Sequence, residues 1–201
     1  MKLYEYKDYD EYVSVQIETT ERKLGRTWAR PESIKEIAKA LRKRRFKPKI
    51  GMCHGARTGE EITYFKKYFK KCQVFGTDIA PVCKSKNVIV WDFHKPHEGW
   101  NSRFDFVYSN SWDHLYEPIY GLGTWKDQVR LNGYLILEHS DQHIEKKVDI
   151  VDSMGMSLKE FIKFVQETIG KRFKLQTFND RKRYINMPFR HGHAVIWKRV
   201  R

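Results

Sequence analysis

The chain has no apolar run approaching the roughly 20 residues needed to span a bilayer. Its first residues, charged and aromatic, hold no apolar signal core. The expectation is a soluble, cytoplasmic protein with no membrane contact. Cysteine is scarce: Cys53, Cys72 and Cys83 are odd in number and none shares a Cys-x-x-Cys spacing. Neither a disulfide framework nor a zinc knuckle is suggested, and a reducing compartment fits. Internal repeats and low-complexity linkers are absent. Acid is in deficit, with 25 Asp plus Glu against 39 Lys plus Arg and a formal charge of +14. The resulting pI near 9.6 favours anionic partners, although nucleic acid, a phosphorylated or nucleotide-linked small molecule and a membrane surface all feel such a field. Much of the excess lies in Arg42-Lys43-Arg44-Arg45 and Arg181-Lys182-Arg183, runs that ordinarily form a solvated face. The 201 residues fit one domain with a full core.

Against these absences stands one dense signal. Residues 49–61, Lys-Ile-Gly-Met-Cys-His-Gly-Ala-Arg-Thr-Gly-Glu-Glu, are followed by Val-Phe-Gly-Thr-Asp-Ile at 74–79. A short apolar strand runs into a loop with Gly55 and Gly59, a helix begins, and a second apolar strand ends in Asp78. Strand, turn, helix and strand with a carboxylate at the second tip is the order of a nucleotide-cofactor site. Glycine lets the backbone turn sharply and approach a ligand, and the carboxylate can accept from both hydroxyls of a ribose.

The remaining periodicity predicts helices over 8–23 and 31–45, the second opened by Pro31 and stopped by Pro48. Strands follow at about 49–53, 73–78, 87–91 and 104–109, with helices over 59–71 and 115–130. A fifth strand covers 133–138 after an Asn-Gly turn, and Ser157 caps a helix ending at Gly170. Segments 173–178 and 194–200 are predicted to pair as an antiparallel edge. The fold class is α/β: helices on both faces of a mostly parallel sheet over 46–201, with a helical extension over 1–45 packed on it.

With the strand tips placed, residues 46–200 resemble the class I S-adenosylmethionine-dependent methyltransferases. Cys53-His54-Gly55-Ala56-Arg57-Thr58-Gly59 stands where that family has its glycine-rich loop, and Asp78 where its ribose-binding acid ends the second strand. Asp92 and Phe93 match an acidic and apolar pair that contacts adenine. Phe104 to Pro118, with Asn110-Ser111-Trp112-Asp113-His114, Trp125 and Asn132 to His139, is similar to the branch acting on small metabolites and sugars. The resemblance implies a Rossmann-like seven-stranded sheet, S-adenosylmethionine as cofactor, and a cofactor set of Gly51, Cys53, His54, Gly55, Gly59, Asp78, Ile79, Asp92, Phe93, Asn110 and Ser111. The chain departs from the family in lacking Gly-x-Gly-x-Gly: Gly51, Gly55 and Gly59 are spaced by four. His54 or Arg57 is placed to face the methionine carboxylate, and a surface pair is the other reading of Arg57.

Methylating a hydroxyl calls for a base, and histidines at the carboxyl ends of parallel strands are in position. His114 ranks first and His139 second, with Asp113 or Glu138 to orient one of them; a helix cap and a wall residue are their structural alternatives. Glu138 to His143 with Asp113 gathers metal-ligand types, but no recognised spacing appears and no metal is assigned. Tyr4, Tyr6, Tyr9, Tyr12 and Trp28 read as packing of the N-terminal helices or as a lid. Arg181, Arg183, Tyr184 and Arg190 are the candidate grip for an anionic substrate, or an ordinary basic loop. The expected activity is methyl transfer to a small, anionic or sugar-like acceptor. Alternatives are an RNA or other nucleic-acid methyltransferase, and a noncatalytic cofactor-binding protein. The Asn/Asp-Pro-Pro-Tyr-type motif of amino-group methylases is missing after the fourth strand, as is a following cysteine nucleophile. A nicotinamide dehydrogenase fits the first motif but not the Asn110–His114 segment. Oligomeric state is not legible.

Overall fold

Apolar stretches flanked by turn residues set the elements of the computed structural model, which describes residues 1–83, 85–178, 184–187 and 192–201. Their order is β1 (Lys2–Leu3), α1 (Tyr9–Arg22), α2 (Pro31–Lys43), β2 (Ile50–His54), α3 (Glu60–Tyr68), β3 (Gln73–Asp78), β4 (Val88–Val90), β5 (Phe104–Ser109), α4 (Pro118–Gln128), β6 (Val129–His139), β7 (Met154–Gly155), α5 (Leu158–Ile169), β8 (Phe173–Leu175), β9 (Ile185–Asn186) and β10 (His193–Arg199). The main sheet runs β4-β3-β2-β5-β6-β10-β8, with β9 paired to β10. Neighbours from β4 to β6 are parallel, and β10 is antiparallel to β6, β8 and β9.

β5 is buried along all of its length, as a strand covered on both faces must be. Its alternation divides the core into two layers. Phe106 and Tyr108 pack with Ile34, Ile37 and Leu41 of α2 and Phe65 of α3. Val107 packs on the other face with Trp125 of α4 and Phe161 and Val165 of α5. At the amino end of the sheet the buried carboxylate of Asp105 accepts from the Lys49 and Ile50 N–H groups at 2.7 and 2.9 Å and pairs with Arg130. One acid thereby ties β2, β5 and β6 together. α5 carries a full capping box, with Ser157 Oγ accepting from Glu160 N–H and the Glu160 carboxylate accepting from Ser157 N–H, and it ends at Gly170 with φ +72°.

Three local expectations change. Asn132-Gly133 is no turn ahead of a strand: β6 already begins at Val129, and the pair forms an irregularity inside it, Asn132 at φ +64°. There the register with β5 jumps from Phe104↔Val129 to Phe106↔Tyr134. The strand expected over 173–178 stops at Leu175. The β1–β7 pair, absent from the periodicity, fastens Lys2 and Leu3 to Gly155 and Met154.

That pair sets the N-terminal segment against the loop after β6. Tyr4 N–H donates to Ser153 C=O at 2.8 Å and the Tyr6 hydroxyl to Ile150 C=O at 2.6 Å. Tyr6, Tyr9 and Tyr12 pack ring to ring with Tyr116, so α1 lies across the carboxyl end of the sheet. α2 buries its stripe of Ile34, Ile37, Ala38 and Leu41 on the core. Among the described residues no helix is long and apolar enough to cross a membrane.

Gly51 lies mid-strand beneath the Phe106 ring, where a Cβ would come within 2.2–2.7 Å of three ring carbons. A rigid ring in a packed core cannot swing aside, so Gly51→Ala is expected to lose about 1–3 kcal/mol in urea unfolding. Adding Phe106→Leu should recover part of that loss. An unaltered urea midpoint in Gly51→Ala would show that the ring has room to move.

Candidate functional site

The strand order reverses between β2 and β5, whose outer neighbours are β3 and β6. Connections from the two tips leave towards opposite faces, and a crevice opens there. Two clefts meet in it, sharing Arg57, Ser111 and His114. The smaller, about 440 Å³ counting its open mouth, is lined by Gly55, Asp78, Ile79, Asp92 and Phe93 and by Tyr12, Gln16 and Thr20 of α1. The larger, about 1090 Å³ by the same measure, is lined by Asn110, Asp113, Glu138, His139, Ser140, His143 and Asp152, with Lys23, Arg30 and Arg57.

Asp78 ends β3 with its carboxylate anchored by backbone: Oδ2 accepts from Arg57 N–H at 2.9 Å and Oδ1 from Ala80 N–H at 3.1 Å. Each oxygen keeps lone-pair capacity for a ligand in the cleft. The loop reaches this position through two left-handed residues, Gly55 at φ +73° and Arg57 at φ +43°. A Cβ on Gly55 would lie 2.7 Å from that of Ser111, so glycine is what lets the loop close against the segment after β5. The Arg57 guanidinium donates to Arg26 C=O at 2.9 Å.

Asp92 accepts from the His94 N–H at 3.0 Å and from its Nδ1 at 2.9 Å, and also from the Tyr9 hydroxyl. His94 Nε2 accepts from Tyr116 N–H at 2.9 Å, which fixes the ring proton on Nδ1. Burial opposes ionisation of Asp92, but the hydrogen bonds from His94 and Tyr9 outweigh it and hold the carboxyl down at about 2. Desolvation and the same contact push the Tyr9 hydroxyl well up.

Other members of the expected cofactor set lie behind the clefts. Gly51 and Cys53 are buried within β2, where burial raises the Cys53 thiol well above its usual range. Gly59, at φ +85°, is the N-cap of α3. His54 is fully buried, stacked on Trp125 with centroids 5.0 Å apart. Its Nε2–H meets the Gln128 amide oxygen at 2.8 Å, and its Nδ1 lies 2.8 Å from the Thr77 hydroxyl. Burial lowers its pKa to about 4, so it is a neutral prop between layers. Glu61, in the first turn of α3, is likewise buried, and desolvation lifts its carboxyl to about 8.

In the larger cleft, His139 Nε2–H donates to Met156 C=O at 2.9 Å, and burial lowers the ring to about 4. It stacks on Trp112 at 5.8 Å, so its wall role is filled even as it lines the cleft. Glu138 accepts from the Tyr108 hydroxyl at 2.9 Å, and burial raises its carboxyl to about 7. His114, partly exposed, closes the 3-10 turn Trp112–His114 and is held through Nδ1 by Gln16 Oε1 at 2.9 Å. Asp113 is 4% exposed, and its Oδ1 has no hydrogen-bond partner among the described residues. Gln16, Thr20 and Asp152 escaped the sequence reading. The available signal was Tyr9, Tyr12, Gln16 and Thr20, a helical stripe whose polar members continue the apolar face. Of the expected anion grip, Arg181, Arg183 and Arg190 lie outside the described residues, while Tyr184 packs on His193 at 4.5 Å and lines neither cleft.

No protein-family model matches the sequence, and no curated protein matches it. Solved structures do. The chain is similar to a Burkholderia thailandensis 1,6-didemethyltoxoflavin-N1-methyltransferase with bound 1,6-didemethyltoxoflavin and S-adenosylhomocysteine, at TM-score 0.69 and 13% identity over 98% of this chain and 93% of that one. The plantazolicin methyltransferase BpumL in complex with S-adenosylhomocysteine gives 0.63 at 14% identity, over 97% and 92%. A TehB-like methyltransferase from Corynebacterium glutamicum gives 0.58 at 15%, over 90% and 95%. The fold is the Rossmann-like α/β fold of class I S-adenosylmethionine-dependent methyltransferases.

The neutral state of His54 has a measurable consequence. Its pKa is about 4 folded and 6.5 ordinarily, so below pH 6.5 the unfolded chain takes up the proton first. Stability from this group is intact above pH 6.5 and falls as the pH drops towards 4, by on the order of 3 kcal/mol for a gap of this size. Urea titrations from pH 7 to 4 should show a shallower slope for His54→Gln than for wild type. Equal slopes would mean that His54 protonates freely in the fold.

Proposed function

We propose that the chain is an S-adenosylmethionine-dependent methyltransferase acting on a small acceptor, anionic or sugar-like in character. The observation that carries the reading is Asp78: a carboxylate at a parallel strand tip, held from behind by Arg57 and Ala80 N–H groups and open in front to the smaller cleft. Ribose hydroxyls are the ligand this arrangement suits. Phe93 offers a ring face for adenine, and Asp92 retains acceptor capacity for its amino group. Gly55, Ile79, Ser111 and Asn110 complete the cofactor contacts. Gly51, Cys53, His54 and Gly59 act indirectly, by letting β2 and its loop pack. Residues 1–45 serve as a helical cover on the catalytic domain 46–201, and a cytoplasmic location belongs to the same reading.

The bound cofactor supplies a methyl group already activated by a sulfonium. The chain's share is position and desolvation. The larger cleft, continuous with the smaller at Ser111 and His114, is where the acceptor lies. Lys23, Arg30 and Arg57 on its wall favour an anion there. His114 is the residue placed against the acceptor's reactive atom, with Asp113 beside it. His139 ranks below it because Met156 and Trp112 already hold it.

The charge of +14 favours a second reading, methylation of an RNA position, which tight and steeply salt-dependent polyanion binding would support. Calorimetry with S-adenosylmethionine and S-adenosylhomocysteine tests the cofactor. Binding by wild type and its loss in Asp78→Ala are expected, while His114→Ala should keep cofactor binding and lose turnover by about 10²-fold or more. Unchanged affinity in a folded Asp78→Ala would refute the ribose assignment.

A further inference from the structure

The tautomer of His114 is set by a contact two steps away. Gln16 Nε2 donates to Val151 C=O at 2.9 Å, an oxygen that only accepts, so the amide must turn Oε1 towards His114. That oxygen lies 2.9 Å from His114 Nδ1 and also only accepts. Nδ1 therefore carries a proton, which in the neutral ring leaves the lone pair on Nε2. Nε2 faces carboxylates, at 4.0 Å from Asp113 Oδ1 and 3.6 Å from Asp152 Oδ1. These separations exceed hydrogen-bond length, and the donor atoms of all three residues lie within 4.8 Å of one another. Asp113 Oδ1 is buried there without a hydrogen-bond partner among the described residues. No lysine or arginine of those residues pairs with either acid within 4.0 Å.

Two carboxylates and an imidazole nitrogen converging on one point offer three ligand atoms to a cation. Around a cation with ligand bonds of about 2.1 Å, two ligand atoms sit roughly 3 to 4.3 Å apart, a span that contains both measured separations.

We propose that Asp113, His114 and Asp152 form a binding site for one divalent cation, in the wall of the larger cleft. Two carboxylates and one imidazole without a thiolate form a mixed oxygen and nitrogen set that Mn²⁺ or Zn²⁺ accepts, and that suits Mg²⁺ less well. Gln16 is a positioning residue for His114. His143 Nδ1 accepts from Ser140 N–H at 2.8 Å, and its Nε2 lies 3.7 Å from Asp113 Oδ2, near the site but beyond hydrogen-bond length.

The site's part in the reaction rests on the methyl-transfer reading. There the acceptor is a hydroxyl that takes an open coordination position. The cation lowers its pKa and its proton leaves to water. The oxygen lone pair then forms the bond to carbon as the carbon–sulfur bond breaks with its electrons on sulfur. O-methylation is the class this assigns.

Mn²⁺ titration of the full chain without cofactor, followed by the electron paramagnetic resonance of free Mn²⁺, tests the site. One ion per chain is expected. Asp152→Asn, at a side chain 37% exposed, and Gln16→Ala should each weaken binding by about tenfold or more, with circular dichroism unchanged. Mn²⁺ should broaden the His114 imidazole resonance before that of His97, which lines neither cleft. Absence of Mn²⁺, Mg²⁺ and Zn²⁺ binding up to millimolar concentration would overturn the proposal, as would affinity left unchanged by Asp152→Asn and Asp113→Asn. Calorimetry with S-adenosylmethionine on the same preparation separates the two readings. Cofactor binding without cation binding removes the metal site alone, and cation binding without cofactor binding keeps the site and removes methyl transfer.

Discussion

Everything chemical in this protein depends on the reversal of strand order between β2 and β5. Because β2 pairs in parallel with both β3 and β5, the chain leaves its tip for one face of the sheet and leaves the tip of β5 for the other. The crevice between them is a topological necessity. Its rigidity comes from the far end, where Asp105 draws β2, β5 and β6 together through backbone amides and Arg130. With β5 buried throughout, the loop holding Asn110 to His114 starts from a tip that packing has already placed.

The other half of the site is built by the N-terminal segment. β1 joins β7, the tyrosines of the first turns pack on Tyr116, and α1 is laid across the strand tips. Two polar residues on its buried face then reach the site: Tyr9 to Asp92 and Gln16 to both Val151 and His114. Such hydrogen bonds act in low dielectric, where a satisfied network holds one geometry and an unsatisfied one is costly. Gln16 is therefore a structural clasp and a tautomer selector at once.

Charge is distributed against the grain of the composition. A chain with a net charge of +14 gathers Asp78, Asp92, Asp113, Glu138 and Asp152 around its clefts. Their environments push them apart: hydrogen bonds from His94 and Tyr9 overcome burial to keep Asp92 at about 2, whereas burial lifts Glu138 to about 7. Burial of Glu138 costs folding stability, whereas the hydrogen bonds to Asp92 contribute it.

What sequence alone determined is whatever depends on neighbours along the chain. Periodicity marked the strands at about 49–53, 73–78 and 104–109 and the helices that follow them, within a residue or so of where the first of them lies, since each buries a face set by residues two or three to four positions apart. Asp78 was legible as a strand-tip acid for the same reason. Partnership between distant segments was not. His54 looked like a loop ligand until Gln128 and Trp125 closed on it from α4. Asn132-Gly133 carried the sign of a turn, yet pairing with β5 absorbed it into a strand. Asp152 and Gln16 carry no motif. Only the tertiary structure, which sets residue 16 beside residues 114 and 151, makes them part of a site, because hydrogen bonding and ligation depend on distance in space, and sequence records only distance along the chain.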